Sequence, residues 1–204
     1  MEIVYLTREY PPHVYGGAGV HVEHLAQEMA KLERVRVLCF GDQDEPDGSP
    51  AVRGLPYGDG LLAGNAEKAR GALMALETGL HAVAQPLRAD VVHAHTWYAH
   101  PGGVLAKLAY GTPLVVTVHS LEPLRPWKRE QLGRGYDLSS WIERQALELA
   151  DAIIAVSRED QRAIRELFRV DPDRVTVIPN GIDPEVYRPV AAPDVLRERG
   201  IDPE

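Results

Sequence analysis

Short apolar runs alternate with stretches of helical spacing along almost the whole chain, and this alternation limits the fold more than any other feature. Glu2–Thr7 (EIVYLT), Val35–Phe40, Asp90–Ala94, Leu114–Val118, Ala152–Val156 and Val175–Ile178 each read as a strand. Runs this short and this apolar suit strands buried on both faces of a sheet. Between them, Val22, Leu25, Met29 and Leu32 recur at helical spacing, as do Leu73, Leu76, Leu80 and Val83 within a helix expected over Asn65–Ala84. Further helices are expected over Gly103–Tyr110, from a Ser139 cap to Ala150, and from Ser157, paired with Asp160 at its cap, to Phe168. Gly41–Gly64 reads as a long loop with an edge strand at Ala51–Tyr57, and His119–Gly135 as a second loop. The pattern predicts an α/β fold: a Rossmann-like parallel sheet with helices on both faces and right-handed crossovers. Ligands of such sheets bind beyond the carboxyl ends of the strands. Arg8–Gly19, Gly41–Asp42, His95–His100, His119–Arg129, Ser157 and Asn180–Asp183 are therefore the segments to search.

A 204-residue chain is long enough for one large domain with its own core. Residues 1–179 are expected to form it, with 180–204 as the start of a linker and Asp194 opening another helix. The formal charge of −8 argues against a nucleic-acid partner, which would call for a basic face. A single cysteine, Cys39, lies in an apparent core strand, so no disulfide framework is expected. No leader precedes the first strand and no apolar run is long enough to span a bilayer, which makes the cytoplasm the expected compartment and a membrane partner unexpected.

The segment after the first strand carries Gly16, Gly17 and Gly19 just ahead of a helix. Glycines there allow close backbone approach and positive φ, and the free N–H groups of the helix start favour a phosphate. The dinucleotide fingerprint does not fit: Val22 stands where its third glycine belongs, and the glycines come well after the strand. A flexible turn that binds nothing is the competing reading.

The third main strand ends in His93-Ala94-His95-Thr96-Trp97-Tyr98, with His93 and His95 on one side of an extended segment. Two imidazoles so placed could be metal ligands. The dinuclear hydrolase pattern HxHxDH fails, because Trp97 and Tyr98 occupy its last two positions, so no resident metal and no cofactor is expected. His93 reads as a hydrogen-bonded core residue, and His95, past the strand end, as a polar contact to a sugar or phosphate. His119 follows the next strand directly and converges on the same edge. The segment Leu121–Tyr136 sets Arg125, Lys128, Arg129 and Arg134 against Glu122 and Glu130, a net +2. It is either a solvated loop or one wall of an anion and sugar site, with Trp127 as an apolar face. No GxSxG elbow and no close acidic pair points to a self-sufficient hydrolase.

Taken together, EYPPHVYGGAGVHV, VVHAHTWYA, VTVHSLEPLRPWK, AIIAVS and VIPNGIDPEVYRP resemble the amino-terminal half of bacterial glycogen synthases. These belong to the large retaining glycosyltransferase family that also holds sucrose synthase and mannosyltransferases; the likeness is greatest to its actinobacterial-type branch. The resemblance implies the amino-terminal lobe of a two-lobed GT-B fold with the active site in the cleft between lobes. It implies transfer of glucose from ADP-glucose or a related nucleotide sugar to an α-1,4-glucan, or to glucose 1-phosphate in members that make maltose 1-phosphate. Mapped on this chain, it puts Gly16 and Gly17 against the donor diphosphate and His119 in the cleft beside the donor sugar and acceptor. His95 and Trp97 would line the acceptor side, while Arg125 and Lys128 rest on the charge of their loop alone, as the wall of an anion site. Asn180 and Gly181 would open the linker. The second lobe, with most nucleotide contacts, would be a separate necessary part, and the chain alone is expected to be inactive. A sugar- or phosphate-binding module without chemistry, and a metal hydrolase at His93 and His95 that predicts stoichiometric zinc, are the competing readings.

Overall fold

The structure, a computed structural model, describes residues 1–57, 68–84, 86–189 and 193–202. In chain order its elements are β1 (Glu2–Thr7), α1 (Gly17–Ala30), β2 (Arg34–Phe40), β3 (Asp44–Glu45), β4 (Ala51–Leu55), α2 (Arg70–Ala82), β5 (Val91–His95) and α3 (Thr96–Tyr110). They continue with β6 (Leu114–Val118), α4 (Lys128–Leu132), α5 (Gly135–Leu149), β7 (Ala152–Ala155), α6 (Arg158–Leu167), β8 (Val175–Val177) and α7 (Pro193–Glu198). The strands form one sheet in the order β3-β4-β2-β1-β5-β6-β7-β8, parallel except for the β3–β4 pair. The expected α/β, Rossmann-like architecture is what forms.

Alternation along β1 separates two cores. Ile3 and Tyr5 join Val22 and Ala26 of α1, with Val35, Val37 and Cys39 of β2, on one face. Val4 and Leu6 face the other way, into a larger cluster with Leu114, Val116, Ile153, Ala146, Leu147 and Ile164. Helices thus cover both faces. The order of strands brings the carboxyl ends of β1, β5 and β6 side by side. No helix among the described residues is long and apolar enough to cross a membrane.

Several element boundaries differ from the sequence reading, each for a packing reason. Helix α3 begins at Thr96, a full turn and more before the expected Gly103, and runs through Pro101. A proline there forfeits one backbone bond, but α2 and α3 meet at this point. A Cβ on Gly79 would come within 2.7 Å of Pro101 Cβ, and one on Gly103 within 2.7 Å of Leu114 Cδ1. Glycines that weaken a lone helix are what let these helices approach each other and the sheet. Helix α2 accordingly buries Ala72, Met74, Ala75, Thr78 and Gly79, leaving Leu80 exposed, not on a buried leucine face; its expected start at Asn65 lies outside the described residues. Gly111, in the left-handed region at φ 69°, ends α3 as a C-cap.

The expected loop over His119–Gly135 contains a 3-10 turn (Glu122–Leu124) and α4, and α5 starts at Gly135. Ser139 is therefore not a cap: it is buried inside α5, and its hydroxyl donates to Glu122 Oε2 at 2.8 Å. Ser157 does cap α6, accepting from the Asp160 amide at 3.0 Å.

Candidate functional site

The β5–β6 pairing places His95 opposite Thr117, with His119 just past the end of β6. His93 and His95, two residues apart on β5, stack with ring centroids 4.3 Å apart. His93 is buried and shares a 2.7 Å hydrogen bond with the Thr117 hydroxyl, so it is a satisfied core residue. His95, 0% exposed, meets His119 directly, Nδ1 to Nε2 at 3.1 Å. From the neighbouring α1, His21 brings its ring edge-on to His119 at 5.0 Å and lies 5.8 Å from His95.

Burial lowers the pKa of each of these imidazoles. His93 is pushed down to about 3 and His119 to about 4, and His95 and His21 are lowered for the same reason. Near neutral pH the cluster is therefore uncharged. It offers polar nitrogens without a positive charge, which suits hydroxyl groups better than phosphates. One nitrogen from each of His21, His95 and His119 lies within 4.8 Å of the others, so these three, not His93 and His95, form the group that could take a metal ion. His95 Nε2 is buried without a hydrogen-bond partner among the described residues.

Gly16 is the N-cap of α1, in extended backbone at φ −162°. None of Gly16, Gly17 and Gly19 has positive φ, so the left-handed conformation that glycine allows is not used here. The three differ in what requires glycine. A Cβ on Gly19 would meet Glu9 Cβ at 2.8 Å, whereas one on Gly16 or Gly17 would meet nothing within 4 Å. Packing accounts for Gly19 and leaves the space above Gly16 and Gly17 open. The Glu9 carboxylate accepts from the amides of Tyr15 and Gly16, each at 2.9 Å. The Gly17 and Ala18 amides, at the positive end of α1, have no hydrogen-bond partner among the described residues.

The loop after β6 is built around Glu122, which is 0% exposed. Its carboxylate takes Lys128 Nζ at 2.6 Å and the Ser139 hydroxyl at 2.8 Å. Its carbonyl takes the Tyr136 hydroxyl at 2.7 Å, and its amide donates to Glu143 Oε2 at 2.9 Å. Lys128, expected to face an anionic ligand, is thus turned inward and tied to a buried carboxylate. Trp97, expected on the acceptor side, is buried with Ala72, Ala75 and Ile142 between α2, α3 and α5. A ring so placed has no free face for a sugar. Arg125 remains at the surface, donating to the Ser120 hydroxyl at 3.1 Å; Trp127 is exposed on the same loop, and Asn180 and Gly181 are exposed too. Between His95 and Trp97, Thr96 takes a φ of 64°, a strained position for a β-branched residue that costs on the order of 1–3 kcal/mol. Strain of that kind, at the turn that sets His95, is a feature that packing must hold in place.

Residues 15–186 match the pattern that defines Glycosyltransferase Family 4, most of the chain. The chain belongs to glycosyltransferase family 4. Among curated relatives it is 50% identical to an alpha-maltose-1-phosphate synthase of Mycolicibacterium smegmatis, over 99% of this chain and 51% of that protein. It is 31% identical to a glycogen synthase of Mycobacterium tuberculosis, over 90% of this chain and 49% of that protein. The chain thus spans about half the length of the curated relatives it matches. Among solved structures, the sucrose-phosphate synthase of Thermosynechococcus elongatus superposes with a TM-score of 0.70 at 16% identity, covering 98% of this chain and 53% of that one. Anabaena Alr3699/HepE, solved with UDP-glucose, gives 0.61 at 21%, over 98% and 50%. At these identities the likeness is one of fold: the amino-terminal lobe of a GT-B glycosyltransferase.

In this family 4 lobe the reading of the sequence brought together His95, His119 and the glycine-led helix, and it missed His21, Arg8 and Tyr98. His21 could have been found: it is one turn beyond Gly17 on a helix whose N-terminus faces the strand ends. The contact of Arg8 with Tyr98, guanidinium carbon 4.1 Å from the ring centroid, could not, because it joins a strand end to the first turn of a helix that begins earlier than Pro101 suggests.

Proposed function

We propose that this family 4 chain is the acceptor-side lobe of a two-lobed, retaining hexosyltransferase acting in the cytoplasm on a nucleotide sugar such as ADP-glucose. The observation that carries the reading is the contact of His95 with His119 at the mouth of the sheet, with His21 of the glycine-led helix against both. His119, neutral and one residue past β6, shares its Nε2 with His95 and offers its other ring nitrogen, Nδ1, to hydroxyls of the transferring sugar. Its role is hydrogen bonding, since the imidazole carries no charge at working pH. The Gly17 and Ala18 amides receive the donor diphosphate, with Gly16 and Gly17 keeping the approach open. Arg125 lies on the loop that closes the anionic side. Residues 180–204 lead into the linker, and the second lobe supplies the other half of the charge stabilisation of the leaving nucleotide.

Two acceptors fit this lobe: an α-1,4-glucan, as in glycogen synthesis, and glucose 1-phosphate, yielding maltose 1-phosphate. The second is favoured by the higher identity to maltose-1-phosphate synthases, 50% and 43%, against 31% for a glycogen synthase. The test is transfer by this chain joined to its second lobe, with ADP-glucose and either acceptor. His119→Ala should lower kcat about 100- to 1,000-fold, far more than the modest loss of stability from unpartnering His95 would explain; an unaltered kcat removes His119 from the reaction. The chain of 204 residues alone should release no ADP from ADP-glucose, and measurable release would overturn the need for a second lobe.

A further inference from the structure

Arg8 is one residue past the end of β1 and is only partly exposed. Its guanidinium carbon lies 4.1 Å from the centroid of the Tyr98 ring, 5.7 Å from that of Tyr15 and 5.9 Å from that of Tyr57. Three aromatic faces hold the cation in place without neutralising it, and no carboxylate is paired with it among the described residues. A planar fork of five N–H donors fixed in this way, at the binding edge of the sheet, has the form needed to grip a phosphate or carboxylate from two sides. The contrast with the loop after β6 is informative, because there the cation of Lys128 is already matched by Glu122.

Its location indicates which anion. Leu6 pairs with Ala94 and His95 with Thr117, so Arg8 and His119 mark the ends of strands separated by β5. Two strand spacings put the two strand ends about 10 Å apart. That is roughly the span of one hexose ring carrying a phosphate on its anomeric carbon. The Gly17 and Ala18 amides are assigned above to a diphosphate on the α1 side, and Tyr15, next to Gly16 in the chain, turns its ring to the Arg8 cation.

We propose that Arg8, caged by Tyr15, Tyr57 and Tyr98, binds the phosphate of a sugar-phosphate acceptor and so selects that acceptor over an uncharged glucan. The proposal rests on the glycosyl-transfer reading above and specifies its acceptor subsite. In the complete two-lobed enzyme, Arg8→Ala should raise KM for glucose 1-phosphate about 10- to 100-fold, and leave KM for ADP-glucose and for a maltooligosaccharide within about twofold. Arg8→Lys keeps the charge but loses the fork, and should fall between the two. Titration of the same proteins with glucose 1-phosphate, followed by calorimetry, should show the same loss of affinity without any turnover. A rise in KM for ADP-glucose instead would assign Arg8 to the donor, and an equal rise for both acceptors would make it a packing residue; either outcome overturns the proposal. An enzyme that transfers nothing yet loses glucose 1-phosphate binding with Arg8→Ala would refute the transfer reading and keep the site. Transfer to glucose 1-phosphate that is indifferent to Arg8 would do the reverse.

Discussion

The loop after β1 and the loop after β6 flank the same histidines, yet they use their polar groups in opposite ways. In the first, Gly16 and Gly17 lie under open space, the Gly17 and Ala18 amides have no partner among the described residues, and a single carboxylate, Glu9, fixes the backbone from beneath. In the second, the amide, carbonyl and both carboxylate oxygens of Glu122 are all bonded within the protein. One loop leaves backbone donors without partners among the described residues, and the other commits its polar groups within the protein. A residue's charge therefore says little about its role until its partners are known: Lys128 and Arg8 are both cations at the binding edge, and only Arg8 is unmatched among the described residues.

The histidines that join the two loops give the largest effect by which to test this picture. His93, His95, His100 and His119 all have folded-state pKa values pushed below the ordinary 6.5, to between about 3 and 4 where a value applies. The unfolded chain takes up protons first, so the stability these groups preserve is present above about pH 6.5 and is lost as pH falls toward 4. Each should cost about 2 kcal/mol by pH 5. Urea unfolding at pH 7 and pH 5 measures the sum, and a pH-independent midpoint over that range would mean the stack is wet and open.

Next in size is removal of the centre of the supporting loop. Glu122→Ala leaves the Lys128 ammonium, 13% exposed, and the Ser139 hydroxyl without their partner. A loss of about 3–5 kcal/mol is expected, read as a fall in denaturation midpoint. A loss under 1 kcal/mol would show that this loop is no more rigid than the one after β1.

A smaller effect, opposite in pH direction to that of the histidines, comes from Glu143. Burial raises its carboxyl to about 8. Because the folded value lies above the unfolded one, its contribution is complete below about pH 4.5 and fades as pH rises through 8. Glu143→Gln should flatten the decline in stability over that window, by about 1–3 kcal/mol at pH 8. Retention of the full decline in the variant would place its origin elsewhere.

The smallest change in stability should accompany the sharpest functional contrast. Gly17→Ala adds a Cβ that meets nothing, at the first position of α1, so stability should rise by up to about 1 kcal/mol or stay level. Donor affinity of the two-lobed enzyme should nonetheless fall, as the methyl group intrudes where the diphosphate approaches. Gly19→Ala should do the opposite, destabilising through Glu9 and Val14. If both variants lose stability alike, the space above Gly17 is not a ligand site.

The sequence by itself determined the α/β class and the parallel strands, because hydrophobic period and strand–helix alternation are local properties. His95, His119 and the Gly16–Gly17 turn were placed on one edge by the same logic, since each directly follows or precedes an element whose direction is set by a parallel sheet. What only the tertiary structure decided concerns partners distant in sequence. Trp97 turned into the helix layer because Gly79 and Gly103 let α3 lie close against α2 and the sheet. Lys128 turned inward because Glu122 is enclosed by α5. Arg8 met Tyr98 because β1 and β5 are neighbours in the sheet though 83 residues, with β2, β3 and β4 among them, lie between them in sequence. Charge and aromaticity are legible residue by residue; whether a charge is already matched, or a ring already covered, is fixed only when distant segments pack.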